Sequence, residues 1–152
     1  MKIFEIFQRP KREKAGLIPY FVNPDGTIEM LFMVSSDSRY GGPDPMISKG
    51  RVEHGEDPAE GAVREAEEEL GLKDSNLKGE PFEIAKQPMR GDTEDYTFYC
   101  YGVEVEKKED FGKFHYETKS THWMTNDEFQ EKGRRNHRQY AQKLFDKIIR
   151  KK

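Results

Sequence analysis

The chain has 152 residues, of which 36% are charged, and its formal net charge is −3. This length is typical of one domain with its own hydrophobic core, and the near-neutral balance argues against a general nucleic-acid-binding domain. No stretch approaches the ~18 continuous apolar residues that a membrane helix needs. Residues 1–14 lack the order of a secretory signal, because their basic cluster follows the apolar segment. We therefore expect a cytoplasmic, single-domain protein, whose one cysteine, Cys100, is a buried strand thiol.

The first third of the chain predicts a β-hairpin. Residues 15–22 are typical of a strand, in which Pro19 indicates an edge position or a bulge. The turn sequence NPDGT at 23–27 and a returning strand at 28–36 complete the hairpin. Two segments follow it: a loop at 37–45 and, at 45–56, a short strand that leads into a glycine-containing loop.

A helix with well-defined ends follows this loop. Asp57 is a good N-cap, Pro58 suits the first helical position, and Glu60 completes a capping box. The helix is predicted to end at Leu70, because Gly71 can adopt the left-handed conformation that stops a helix.

The second half of the chain alternates strands and helices. After a loop at 73–81, strands are predicted at 82–87, 95–106 and 119–124. Thr125 and Glu128 form a second capping box, which opens a short helix ending near Gly133. Apolar residues at three- and four-residue spacing predict a last helix over about 134–150. This order of elements indicates a mixed α/β domain.

Three carboxylates lie together on the helix at 57–70. Glu65, Glu68 and Glu69 have the spacing i, i+3, i+4, so they can converge beside the apolar stripe, although like charges at this spacing repel. Arg64 is one turn from Glu68 and can pair with it, or with Glu60 on its other side. A divalent cation is a stronger partner for the trio, because Mg²⁺ and Mn²⁺ prefer hard oxygen ligands. The alternative is a solvated helix face.

Glycines and cations surround this helix. Gly61 lies one turn before Glu65, where it either leaves room for a metal or a phosphate or is merely tolerated. Gly50 precedes the helix in a loop where backbone groups can approach a ligand closely, and the adjacent Lys49 and Arg51 can neutralise phosphate oxygens. A cationic loop followed by an acidic helix suits metal-bridged phosphate chemistry.

The segment 50–72, GRVEHGEDPAEGAVREAEEELGL, resembles the Nudix box, G-x5-E-x7-R-E-U-x-E-E-x-G-U, in which U is a bulky aliphatic residue. The invariant positions are matched at the required spacing by Gly50, Glu56, Arg64, Glu65, Glu68, Glu69 and Gly71. Leu72 fills the last aliphatic position, and Ala66 is an apolar but small match. The resemblance to Nudix (MutT-like) hydrolases implies an α/β/α sandwich with a mixed β-sheet and a metal-dependent pyrophosphohydrolase.

The resemblance also implies roles for the residues of the box. Mg²⁺ or Mn²⁺ would be bound by Glu65, Glu68, Glu69 and the carbonyl of Gly50. Arg64 would orient the glutamates, Glu56 would fix the loop to the helix, and Gly71 would be structural. Lys49 and Arg51 remain candidates for substrate phosphate. The general base of the family often lies in a loop before a tryptophan-containing strand, where this chain has Glu117 in the sequence FHYETKSTHW. Its rivals are Glu65 and the loop carboxylates Asp92, Glu94 and Asp95.

The sequence leaves the substrate open among small-molecule nucleotides. Pro88, sixteen residues after Leu72, resembles a feature of ADP-ribose pyrophosphatases, whereas MISKGRVEHGE resembles the entry to the box in dinucleoside polyphosphate hydrolases. Small permissive family members that accept ADP-ribose, Ap₃A, Ap₄A and FAD would reconcile both hints. The alternatives are an RNA 5′-end pyrophosphohydrolase, a nucleotide-sensing module, and an isomerase of isoprenoid diphosphates. Base-stacking candidates are Phe21, Tyr40, Phe82 and Tyr99.

The remaining expectations concern the C-terminal helix, the histidines and the oligomeric state. The basic residues after Arg134 are interpreted as a solvated helix face rather than a nucleic-acid contact. The four histidines lack metal-ligand spacing and receive no role. A homodimer is left open.

Overall fold

The computed structural model describes residues 12–37, 39, 42–112 and 114–151. Within this part of the chain, the strands are β1 (Arg12–Val22), β2 (Ile28–Ser35), β3 (Ser48–Arg51), β4 (Phe82–Met89), β5 (Tyr96–Glu104) and β6 (Thr118–Thr125). The α-helices are α1 (Pro58–Leu70), α2 (Asn126–Lys132) and α3 (Arg138–Arg150), and short 3₁₀ helices lie at Asp74–Asn76 and Arg135–His137. Among the described residues, no helix is both long and apolar enough to cross a membrane.

The strands form one mixed sheet. Its order is β4-β5-β1-β2-β6, and β3 pairs with β1 beside this path. β1 and β5 run parallel, and the other pairs are antiparallel, including the predicted β1–β2 hairpin. A parallel neighbour for β1 requires the long crossover that carries β3 and α1. The site described below lies on this crossover.

Pro19 does not lie at an edge of the sheet, so that part of the prediction is wrong. β1 is central, with β5 on one side and both β2 and β3 on the other. β3 pairs with Lys14–Leu17, and β2 pairs with Tyr20–Val22. Pro19 therefore falls in the gap between these two partners, where the strand can tolerate a residue without an N–H donor.

Helices cover both faces of the sheet. On one face, the apolar side of α1 packs on a core that contains Ala15, Leu17, Leu31, Ala62, Ala66, Leu70 and Val103. On the other face, α2 and α3 pack on a second core that contains Ile18, Phe32, Phe98, Cys100, Phe129, Tyr140 and Leu144. The predicted α/β/α sandwich and the buried thiol of Cys100 are confirmed. Ile149 of α3 is 45% exposed.

The ends of α1 agree with the sequence, with one exception. The Asp57 carboxylate accepts a hydrogen bond from the N–H of Ala59 at 3.1 Å, and Gly71 adopts the left-handed conformation with a φ of 76°. Glu60 is exposed and makes no hydrogen bond back to Asp57 in the described chain, so the capping box is incomplete. The second capping box, between Thr125 and Glu128, is present.

The last helix begins later than predicted, at Arg138 rather than near residue 134. Residues 135–137 form a 3₁₀ turn, and the ring of His137 is 4% exposed. Its Nδ1 accepts a hydrogen bond from the N–H of Ile47 at 3.1 Å. This contact fixes the α2–α3 connection against the segment that leads into β3. Burial lowers the pKa of His137 to about 3, so the ring is neutral at pH 7.

Candidate active site

β3 divides its side chains between the two faces of the sheet, as alternation in a strand requires. Ser48 and Gly50 face α1, where each contacts a glutamate of the helix. Lys49 points to the opposite face and lines a small cavity there with residues of the α2–α3 connection. Arg51 is exposed at the end of the strand. The site therefore has a carboxylate side and a cationic side.

Glu69 is the most buried of the three box carboxylates, at 8% exposure. Its Oε1 accepts hydrogen bonds from Ser48 Oγ and from the N–H of Lys49, both at 2.9 Å. Its Oε2 has no hydrogen-bond partner among the described residues. Burial raises the pKa of Glu69 to about 8, and the carboxylates of Glu65 and Glu117 add to the rise. A buried acid with one free oxygen is suited to a cationic ligand.

The carboxylate of Glu65 packs directly on the backbone of Gly50. A Cβ atom at position 50 would lie 2.1 Å from Glu65 Cδ, so the flexible end of Glu65 would have to move away. The close approach therefore explains the glycine, because any larger residue would displace the carboxylate. Burial, followed by repulsion from Glu68, raises the pKa of Glu65 above its usual range. Glu68 is more open, with 52% of its side chain exposed.

Arg64 connects the loop to the helix. Its guanidinium donates to both oxygens of Glu56, at 2.9 and 3.2 Å, and to the carbonyl of Arg51 at 2.8 Å. It also reaches Glu65 at 3.1 Å and Glu68 at 3.6 Å. The main partner of Arg64 is thus Glu56, rather than the Glu60 that helix spacing also offered.

Gly61 serves the same connection. It is buried, and a Cβ atom there would lie 2.9 Å from Glu56 Oε1. Glu56 also accepts a hydrogen bond from the N–H of Glu53 at 2.9 Å. The space beside Gly61 is therefore filled by a carboxylate of the chain itself, and neither a metal nor a phosphate fits there.

The segment that holds Glu117 is tied to the C-terminal end of α1. The N–H of His115 donates to the carbonyl of Glu68 at 2.6 Å, and Thr118 Oγ1 donates to the carbonyl of Glu69 at 2.8 Å. The last carbonyls of a helix lack partners within the helix, so these two bonds satisfy groups that would otherwise be orphaned. They also hold Glu117 beside the glutamates whose pKa it raises.

Thr118 and Ser48 are site residues that the sequence analysis missed. Thr118 is 5% exposed and Ser48 is fully buried. Each bonds to Glu69 across a long stretch of chain, 49 residues for Thr118 and 21 for Ser48. Pairing across such distances leaves no periodic signal.

The oxygen donors of Glu65, Glu68, Glu69 and Gly50 fit a divalent metal, although their side chains do not yet converge on one coordination site. In the described segments, no group of three histidine, cysteine or acidic side chains already surrounds a common point. Glu65 is turned towards Arg64, and Glu69 Oε1 is engaged by β3. The hard carboxylate oxygens, the bare Cα of Gly50 and the free oxygen of Glu69 nevertheless suit Mg²⁺ or Mn²⁺. A bound cation would also favour the ionised forms that burial disfavours.

The other candidates are placed elsewhere. Glu94 pairs with Arg12, and Asp95 lines a cavity of about 410 Å³ with Pro88 and Tyr96. Among the proposed stacking residues, the Phe82 ring is covered by Lys147 and Lys151 at the end of the chain, and the Tyr99 ring lies under Lys86. Phe21 packs on the core beneath α1, and Tyr40 lies outside the described residues.

A family model described as the NUDIX domain matches residues 11–144. The chain belongs to the Nudix family. The match spans most of the sequence, so the expectation of a Nudix pyrophosphohydrolase is confirmed at the level of the family. No curated protein matches this Nudix chain significantly in sequence.

Solved structures share the fold of this Nudix domain. An Ap4A hydrolase of C. elegans in a binary complex has a TM-score of 0.76 at 18% identity, covering 91% of this chain and 98% of that chain. The NUDIX domain of Shewanella oneidensis NrtR, complexed with ADP ribose, has a TM-score of 0.73 at 9% identity, covering 97% and 99%. The M. smegmatis Nudix hydrolase RenU has a TM-score of 0.71 at 16% identity, covering 93% and 89%. At these identities the likeness concerns the fold alone.

Proposed function

We propose that this Nudix protein is a metal-dependent hydrolase that cleaves the pyrophosphate linkage of a nucleoside diphosphate joined to another moiety. ADP-ribose, dinucleoside polyphosphates such as Ap₃A and Ap₄A, and FAD are the candidate substrates. The observation that carries the proposal is the placement of Glu65 and Glu69 against β3, with Glu65 on Gly50 and Glu117 beside both. The structural likeness to an Ap4A hydrolase and to an ADP-ribose-bound domain supports the substrate class.

The resident cofactor is proposed to be Mg²⁺ or Mn²⁺. Glu65, Glu68, Glu69 and the Gly50 carbonyl would hold it. When bound, the ion neutralises phosphate oxygens and lowers the pKa of the attacking water. Arg64 keeps the carboxylates in place through its bonds to Glu56 and Glu65.

Glu117 is the proposed general base. A water molecule gives a proton to its carboxylate while the water oxygen bonds to phosphorus, and the bridging phosphorus–oxygen bond breaks. The departing phosphate keeps the bridging oxygen and its electron pair. More than half of the Glu117 side chain is exposed, at 61%, so water reaches it without any rearrangement of the core.

A hydrolysis panel tests the proposed function. ADP-ribose, Ap₃A, Ap₄A, FAD, NADH, nucleoside triphosphates and 5′-triphosphate RNA would be incubated with Mg²⁺ or Mn²⁺, with and without EDTA. We expect metal-dependent release of AMP from dinucleotide-type substrates. Glu69→Gln should lower kcat by at least about 10²-fold, whereas the exposed Glu67→Gln on the same helix should not. Equal effects from both variants would show that the wrong face of α1 was assigned.

The base is tested separately. Glu117→Gln should lower kcat by about 10²-fold or more. Glu109→Gln, an exposed glutamate of the same loop, is the matched control. Full activity of Glu117→Gln would transfer the role to Glu65.

A further inference from the structure

A small cavity lies on the face of β3 that is opposite the carboxylates. Its volume is about 50 Å³, and its walls include Lys49, Phe98, Arg134, His137 and Tyr140. This volume has room for only a few water molecules, the size of one tetrahedral oxyanion. None of the chemistry assigned to the box uses this cavity.

Lys49 carries an unpaired charge into this cavity. Its ammonium makes no hydrogen bond or ion pair among the described residues, and the nearby charges of Lys14 and Arg134 are also positive. The neighbouring acid, Glu69, lies across the strand and accepts a bond from the N–H of Lys49 rather than from its ammonium. A largely desolvated cation without a partner is unfavourable unless an anion joins it.

Two further donors line the same walls. The Arg134 guanidinium also has no partner among the described side chains. Only the backbone of Arg134 is engaged: its N–H donates to the Pro45 carbonyl at 2.8 Å, and its carbonyl accepts from the N–H of His137 at 2.9 Å. Because Nδ1 of His137 accepts from Ile47, the proton of the neutral ring resides on Nε2. The Tyr140 hydroxyl donates to Gln87 Oε1 at 3.0 Å. Lys49, Arg134 and His137 therefore offer only donors to this cavity, which the side chains of Asn136 and Tyr96 also line.

We propose that Lys49, Arg134 and His137 form a phosphate-binding subsite on the opposite face of β3 from the metal-binding carboxylates. Converging donors select an oxyanion, and ionised donors bind it most strongly. Met89 and Tyr96 border both this cavity and the larger one of about 410 Å³, so the subsite lies next to space for a longer ligand. This inference rests on the proposed function. The phosphate that binds there can come from two sources: a group of the substrate beyond the scissile bond, or free inorganic phosphate.

Binding of inorganic phosphate in EDTA tests the subsite without any contribution from a metal. Arg134→Met should weaken phosphate binding, measured by ³¹P NMR titration, at least about tenfold, because it removes a charge-assisted donor. Arg135→Met, which changes an exposed neighbour, should bind as the wild type does. Lys49→Met should weaken binding to a similar extent, and melting curves verify that each variant is folded. Unchanged binding in Arg134→Met, or no phosphate binding by the wild type, would overturn the subsite.

Kinetics distinguish the two sources. If the phosphate belongs to the substrate, Arg134→Met should raise the KM for Ap₄A at least about tenfold, with kcat retained, and change the KM for ADP-ribose much less. If free phosphate is the ligand, both KM values stay constant and only inhibition by phosphate weakens. A wild-type protein that hydrolyses nothing, yet binds phosphate through Arg134, would remove the proposed hydrolase function and leave the subsite standing.

Discussion

Replacing Glu69 with glutamine should make the metal-free protein more stable at pH 8, although it should lower kcat at least about 10²-fold. Glu69 has a folded pKa of about 8, against an ordinary value of 4.5, because it is buried. Between these values the folded state holds a proton that the unfolded state has released. Stability must therefore fall as the pH rises towards 8, and glutamine, which does not titrate, removes this fall.

Two neighbouring groups define the useful pH window. The pKa of His137 is lowered from 6.5 to about 3, so its burial makes stability rise with pH up to about 6.5, with the opposite sign to Glu69. The pKa of Lys49 is lowered from 10.5 to about 8, so its contribution changes mainly above pH 8. Between pH 6.5 and 8, Glu69 therefore contributes more to the change in stability than either of these two groups. Over this range, titration of one acid with a pKa of about 8 lowers the free energy of unfolding by roughly 1.5 kcal/mol. This corresponds to a decrease of about 3–6 °C in Tm.

Urea denaturation in EDTA at pH 6.5 and pH 8 measures this difference. The free energy of unfolding of Glu69→Gln, minus that of the wild type, should increase by roughly 1.5 kcal/mol between the two pH values. Glu67→Gln, at an exposed position on the same helix, should follow the wild type. Mg²⁺ at pH 8 should stabilise the wild type and not Glu69→Gln, since the proposed cation would bind the ionised carboxylate. A difference that is the same at both pH values would refute the burial argument for Glu69.

Two further substitutions probe the supports of the site. Gly50→Ala should lower kcat at least about tenfold with little loss of Tm, because its Cβ, 2.1 Å from Glu65 Cδ, displaces the carboxylate; unchanged kcat and metal affinity would mean that the position of Glu65 is not critical. Thr118→Val should reduce the free energy of unfolding by about 1–3 kcal/mol, because the buried carbonyl of Glu69 loses its donor. Thr118→Ser should restore most of this loss in urea denaturation, and equal losses in both variants would assign the effect to packing instead.

The sequence alone established the parts of the site that depend on neighbours along the chain. Asp57, Pro58 and Gly71 fixed the ends of α1, because capping uses residues within one turn of the helix end. The spacing of Glu65 and Glu69 placed them on one side of that helix for the same local reason. The strand order and the Nudix box then led to the α/β/α sandwich and to the family.

The tertiary structure decided how the carboxylates differ from one another. Glu68 and Glu69 are adjacent in a glutamate-rich run, yet one is half exposed and the other is buried against Ser48 and under Thr118. Helical periodicity gives each residue a direction, but burial depends on which strands pack there. Those partners come from β3 and β6, which the sequence does not assign to particular glutamates.

The same reason explains the remaining corrections. Pro19 is tolerated in a central strand only because β3 and β2 share one side of β1, and the late start of α3 follows from a His137 contact with Ile47, 90 residues away in the chain. The unpaired charge of Lys49 likewise depends on the face of β3 that the fold turns towards α3. Local stereochemistry fixed the elements, and long-range packing determined which side chains are desolvated, and so which have altered acidity and unpaired charge.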